Sequence, residues 1–178
     1  MLRQNAAKIH LYVATFLAPI ILMISISGGL YLFGFKGSTE NTIIKSDSNY
    51  AFNISGSNSE QAARDLLDHH GLDSSFEYVK QGGNSIFTRP TSEDSFVITM
   101  KDDSYSLTKV EPDLIKTLVE LHKGHGPLAF KTLQKLTAIG LVLILLTGMI
   151  LALSNKRNRK TSLITMGAGF ALFLVLAF

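Results

Sequence analysis

The sequence predicts a membrane protein of mixed α+β class, with three transmembrane helices and a small extracytoplasmic domain, one helix plus an antiparallel meander, between the first two. Three observations lead there. Residues 9–35, 136–153 and 161–178 are apolar runs without a charged side chain. All 14 Asp and Glu lie between residues 36 and 131, whereas Arg3, Lys8, Lys156, Arg157, Arg159 and Lys160 flank the other helix ends. Between the first two runs, strand-like segments at 76–80, 85–89, 96–100 and 105–110 are separated by the turn-forming stretches QGGN, PTSED and KDDS.

Residues 1–35 form the N-terminus and first membrane helix. Their uncharged run would reach roughly 40 Å at about 1.5 Å per residue, more than a hydrocarbon core of about 30 Å. No small-residue cleavage site closes it, so it reads as a retained signal anchor. Residues 36–111 form the outer domain. A serine- and asparagine-rich approach with a short strand near 50–54 leads to a helix that Ser57 or Ser59 can cap. Ala62, Ala63, Leu66 and Leu67 share one face of that helix and Gly71 closes it. The meander follows.

Residues 112–131 read as a linking amphipathic helix. Glu111-Pro112-Asp113 is a helix start with proline at an early helical position. Leu114, Leu118, Leu121, His122 and His125 then recur at three- and four-residue spacing, which puts both histidines on the apolar stripe, and Gly124, Gly126 and Pro127 break the chain. A second membrane helix at 132–154, a basic loop at 155–160 and a third membrane helix at 161–178 complete the chain. The positive-inside rule puts the N-terminus and the NKRNRK loop in the cytoplasm and the outer domain in the periplasm or cell exterior. Between two membrane helices that loop is a topological signal, and no nucleic-acid partner is expected.

With 178 residues there is no room for a large catalytic domain. The absence of cysteine excludes disulfides, thiolate haem attachment, iron–sulfur clusters and thiol catalysis. No catalytic triad or paired-carboxylate site stands out. The chemistry-bearing residues are five histidines: His10, His69, His70, His122 and His125. His69 and His70 end the soluble helix, where a cation suits the dipole, and are read as structural. An intramembrane or interfacial histidine is a functional candidate by default, with a plain interfacial hydrogen bond as its alternative.

Lys8, His10, Ser27, Gly28, Leu30 and Phe33 in the first membrane helix, and Leu121, His122, Gly124, Gly126, Thr147, Gly148 and Leu151 around the second, resemble the PepSY-associated transmembrane family over essentially the whole chain. The three-helix form is similar to the VciB-type iron-uptake ferric reductases; the larger di-haem siderophore reductases of the family carry more helices. The resemblance implies haem b as cofactor, with His10, His122 and His125 as cofactor-binding candidates. His122 and His10 are then the axial iron ligands.

His10 starts the first helix on the cytoplasmic side and His122 stands on the outer side, separated by about 30 Å of bilayer, so the two cannot share one iron. His122 and His125, three apart on one helix face, cannot approach a porphyrin from opposite sides. A homodimer supplying the same histidine twice is the preferred completion, with one or two haems per dimer. A methionine, Met149 or Met166, paired with His10 is the other route. His125 can ligate in place of His122 or bond a haem propionate. Ser25, Ser27, Gly28, Gly29, Thr147 and Gly148 permit close helix approach or a flat porphyrin.

The expected function is therefore that of an inner-membrane haem electron-transfer protein, a ferric reductase that assists ferrous iron uptake. It would pass electrons from a quinol or cytoplasmic donor to ferric iron or a ferric chelate outside, beside a ferrous iron transporter. Glu93-Asp94 and Asp102-Asp103 offer hard oxygen ligands to ferric ions, with turn solvation as their plainer reading. The alternative is a non-redox module, anchored in the lipid bilayer, that regulates a peptidase or an iron transporter.

Overall fold

The computed structural model describes residues 2–47, 58–101 and 104–178. The expected strand near 50–54, Ser57 as a cap, and Asp102-Asp103 lie outside the described residues. The chain divides into two compact units, residues 22–134 and residues 1–21 with 135–178.

In the first unit, α2 (Ser59–His69) covers one face of a five-stranded antiparallel sheet in the order β1 (Thr39–Asp47), β5 (Ser104–Pro112), β4 (Ser95–Lys101), β3 (Ser85–Arg89), β2 (Tyr78–Gly82). The predicted meander corresponds to β2 (Tyr78–Gly82), β3 (Ser85–Arg89), β4 (Ser95–Lys101) and β5 (Ser104–Pro112). Alternation along these strands brings Ile86, Ile98 and Leu107 into register. They close a core with Ala63, Leu66 and Leu67 of α2 and with Phe96 and Tyr105. The α2 N-cap is Asn58, without a side-chain cap bond, and Ser59 is the first helical residue rather than the cap.

One strand of the sheet stands where the sequence reading places none. β1 (Thr39–Asp47) lies in the stretch read as a polar approach and pairs with β5. As an edge strand with Ile43 68% exposed, it buries too little to leave an alternating signature. Pro112 is also corrected. It ends β5, and the cap of α3 (Leu114–His122) is Asp113, whose carboxylate accepts from the Lys116 backbone N–H at 2.7 Å. The same carboxylate accepts from the Ser38 N–H and hydroxyl, both at 2.8 Å, pinning the start of α3 to the start of β1. Gly37, at φ 68°, makes this possible: a Cβ there would run into the Lys116 backbone.

α3 stops at Gly124, at φ 77°, so His122 is its last residue. The next helix, α4 (Leu128–Ser154), begins with its Leu128 N–H donating to both carboxylate oxygens of Glu77, at 2.8 and 3.0 Å. In the second unit, Leu17 of α1 (Leu2–Leu32) packs on Gly140 of α4, where a Cβ would overlap its side chain. Pro19 sits inside α1 without ending it. α5 (Arg159–Ala177) buries none of its residues within this chain. The helices α1, α4 and α5 are each long and apolar enough to cross a membrane.

Truncating Ile98 to alanine should cost about 2–5 kcal/mol, whereas Ile43→Ala, on the exposed edge, should stay within about 0.5 kcal/mol. Guanidinium titration followed by far-UV circular dichroism measures both, and equal costs would place the core elsewhere.

Candidate functional site

His122 Nδ1 lies 2.9 Å from the backbone oxygen of Ile24. A carbonyl can only accept, so Nδ1 carries the proton and Nε2 holds the lone pair. The ring reaches the α1 backbone because residue 28 is glycine: a Cβ there would stand 2.8 Å from His122 Cε1. Ser27, fully buried, turns its hydroxyl back onto its own helix, toward Met23 O at 2.7 Å and Ile24 O at 3.1 Å.

The second unit repeats this seat. His10 Nδ1 lies 3.1 Å from Ile144 O and 3.1 Å from Thr147 Oγ1, and a Cβ on Gly148 would meet His10 Cε1 at 3.4 Å. Thr147 turns its hydroxyl toward Leu143 O at 2.6 Å and Ile144 O at 3.1 Å. Ile24-x-x-Ser27-Gly28 and Ile144-x-x-Thr147-Gly148 are thus one local device used twice: an isoleucine carbonyl takes the imidazole proton, and the glycine four residues on makes room for the ring. Neither Nε2 has a partner among the described residues. His122 is exposed and His10 half-buried.

His125 is placed differently from the sequence expectation. It follows Gly124 and lies beyond the end of α3, so it does not share a helical face with His122. Its Nδ1 pairs with Glu120 Oε2 at 2.5 Å. Glu120, with 5% of its side chain exposed, is the centre of a cluster that sequence reasoning missed. Oε1 accepts from Lys123 at 2.8 Å and Lys116 at 3.2 Å, and Oε2 also accepts from Thr91 at 3.0 Å. Burial pushes this carboxyl up, and the bonds from Lys123, His125, Thr91 and Lys116 outweigh that and hold it down at about 2. Only the four-residue spacing of Lys116 and Glu120 was visible in the sequence.

His69, His70 and Asp94 have structural partners. His70 Nε2 meets Tyr105 OH at 2.7 Å, and His69 stacks edge-on against His70. Asp94 is paired with Lys109 at 2.9 Å. Among the described residues no three of His, Asp and Glu converge as a metal cage.

A model of the PepSY_TM-like family matches residues 77–178, which include β2 to β5, α3, α4 and α5. The chain belongs to this PepSY-associated transmembrane family. No curated protein and no solved structure matches it. In this PepSY_TM-like chain, His122, Glu120, His125 and the Ile144–Gly148 seat fall inside the matched residues, and His10 and the Ile24–Gly28 seat fall before them.

Glu120 sets a pH dependence. Its folded value, about 2, lies below the ordinary 4.5, so its contribution to stability is complete above pH 4.5 and is lost as pH falls toward 2. The thermal midpoint of the sheet domain should fall across that interval, and Glu120→Gln should flatten the decline while lowering the midpoint at neutral pH. An unaltered acid profile in the variant would remove Glu120 from this role.

Proposed function

We propose that this protein is a b-type haem electron-transfer protein of the bacterial inner membrane, of the VciB-type, that reduces ferric iron or a ferric chelate in the periplasm and so assists ferrous iron uptake. The carrying observation is the twin seat. An imidazole that ligates a metal typically anchors one ring nitrogen on a carbonyl or carboxylate and offers the other, and His10 and His122 both have that posture. Haem, when bound, supplies reversible one-electron exchange.

The chain's own residues do the rest. Ile24 and Ile144 fix the tautomer that leaves each Nε2 basic, Gly28 and Gly148 admit the rings, and Ser27 and Thr147 keep their hydroxyl protons on their own helices. Each seat holds a single histidine, and a second copy of the chain supplies the same residue from the opposite side. In the homodimer His122 and His10 would hold one or two haems, with His125 as a further cofactor-binding candidate. The positive-inside charges support a cytoplasmic N-terminus and 155–160 loop, the side on which a quinol or cytoplasmic donor would deliver the electrons. A ferrous iron transporter is the partner that would take up the product.

Protein purified in mild detergent from haem-replete cells should show a Soret band, with α and β bands on dithionite reduction. His122→Ala should abolish the outer haem, Gly28→Val should lower its content by displacing the ring, and haem content should follow the dimer fraction on size exclusion. A colourless preparation would sink the reading and leave the non-redox module that regulates a peptidase or transporter. Full haem retention in a monodisperse monomer would contradict the shared ligands.

A further inference from the structure

The sheet face not covered by α2 forms, with α3, a cleft of about 410 Å³. Its floor carries Phe87 and Val97, cross-strand partners on β3 and β4, and Val110 of β5. Its wall carries Lys116, Glu120 and Lys123, with Arg89 and His125 beside them. Three basic side chains, Arg89, Lys116 and Lys123, thus line the cleft with a single carboxylate, Glu120.

That carboxylate is already committed. Glu120 accepts four bonds, while each lysine ammonium gives it one donor of three. Arg89 has no carboxylate partner among the described residues. Its Nη1 donates to Thr91 Oγ1 at 2.7 Å, and Thr91 donates to Glu120, which puts the guanidinium at the Glu120 end of the cleft. Its Nε is buried, a donor for which the described residues supply no acceptor. The unpaired charge calls for an anion with planar acceptors, and the floor calls for an apolar body.

We infer that this cleft binds a small organic anion, a carboxylate carried on a flat apolar body, held by Arg89, Lys116 and Lys123 over the Phe87–Val97 floor. The size is that of a modest ligand pocket. The site goes beyond the haem reading and stands without it. Sequence patterning does not show it, because its cations come from β3 and from α3 and meet only when Arg89 is brought to the end of the helix that carries Glu120.

Isothermal titration of the full chain in detergent tests it with benzoate, with benzyl alcohol as the uncharged match and with inorganic phosphate. Benzoate should bind, and benzyl alcohol should bind about tenfold more weakly or worse. Lys116→Gln, a partly exposed position, and Arg89→Gln should each weaken benzoate about tenfold. Glu120→Gln should tighten it, because the one opposing charge is gone, whereas mere damage to the cleft would weaken it. Equal binding of benzoate and benzyl alcohol, or weaker binding after Glu120→Gln, overturns the site. Phosphate binding tighter than benzoate overturns the carboxylate assignment.

Discussion

A helix carbonyl has two lone pairs and spends one on the amide four residues ahead. The second can be reached only where the neighbouring surface is bare, and at Ile24 and Ile144 the residue standing in the way is glycine. An imidazole then donates Nδ1–H to that carbonyl, and its Nε2 has no partner among the described residues. The geometry around His122 serves this contact. Gly124 stops α3 one turn after Glu120, so that His122 ends the helix, and Asp113 fixes the other end of α3 against Ser38. Glu77 draws the start of α4 to the sheet, and the Gln134 amide donates to Leu121 O at 2.8 Å.

The coarse architecture was legible because it rests on signals carried by many residues. Three uncharged runs, a one-sided distribution of acids and four turn-bounded strands need no tertiary information. What failed was set by single contacts. β1 is recognised only through its pairing with β5, since its own side chains are largely exposed. Pro112 looked like a helix start because proline suits that place, yet the chain keeps its pairing with Thr39 through Pro112 and bends at Asp113. His125 continued the periodicity on paper, but Gly124 takes a left-handed conformation that ends the helix first. The two seats were present in the sequence as a repeated Ile-x-x-[Ser/Thr]-Gly. They read as sites for close helix approach or a flat porphyrin, because the histidine that fills each comes from elsewhere in the chain.

Glu120 shows how one buried charge organises its surroundings. A carboxylate with so little exposure is tolerated only when its oxygens are saturated, and removal of a donor leaves a costly remainder. Lys116, Lys123, Thr91 and His125 are therefore held by a common acceptor, and His125 O in turn accepts from Thr91 N at 3.1 Å. The turn after α3 is tied to the sheet by both backbone and side chain. That ordering is useful next to His122, whose backbone is the last helical position before the turn.

Packing by itself would not select histidine at these seats. The chain contains its own comparison in Gly140, where the bare helix surface is filled by Leu17, an apolar side chain suited to a membrane interior. Glycine at 28 and 148 creates the same kind of recess, and leucine would fill either one without bringing in a polar ring. An imidazole instead brings two nitrogens, one bonded to the Ile24 or Ile144 carbonyl and the other without a partner among the described residues. The same incomplete solution is adopted twice, with the same isoleucine, hydroxyl residue and glycine, and in both seats the unsatisfied atom is the one capable of coordinating a metal.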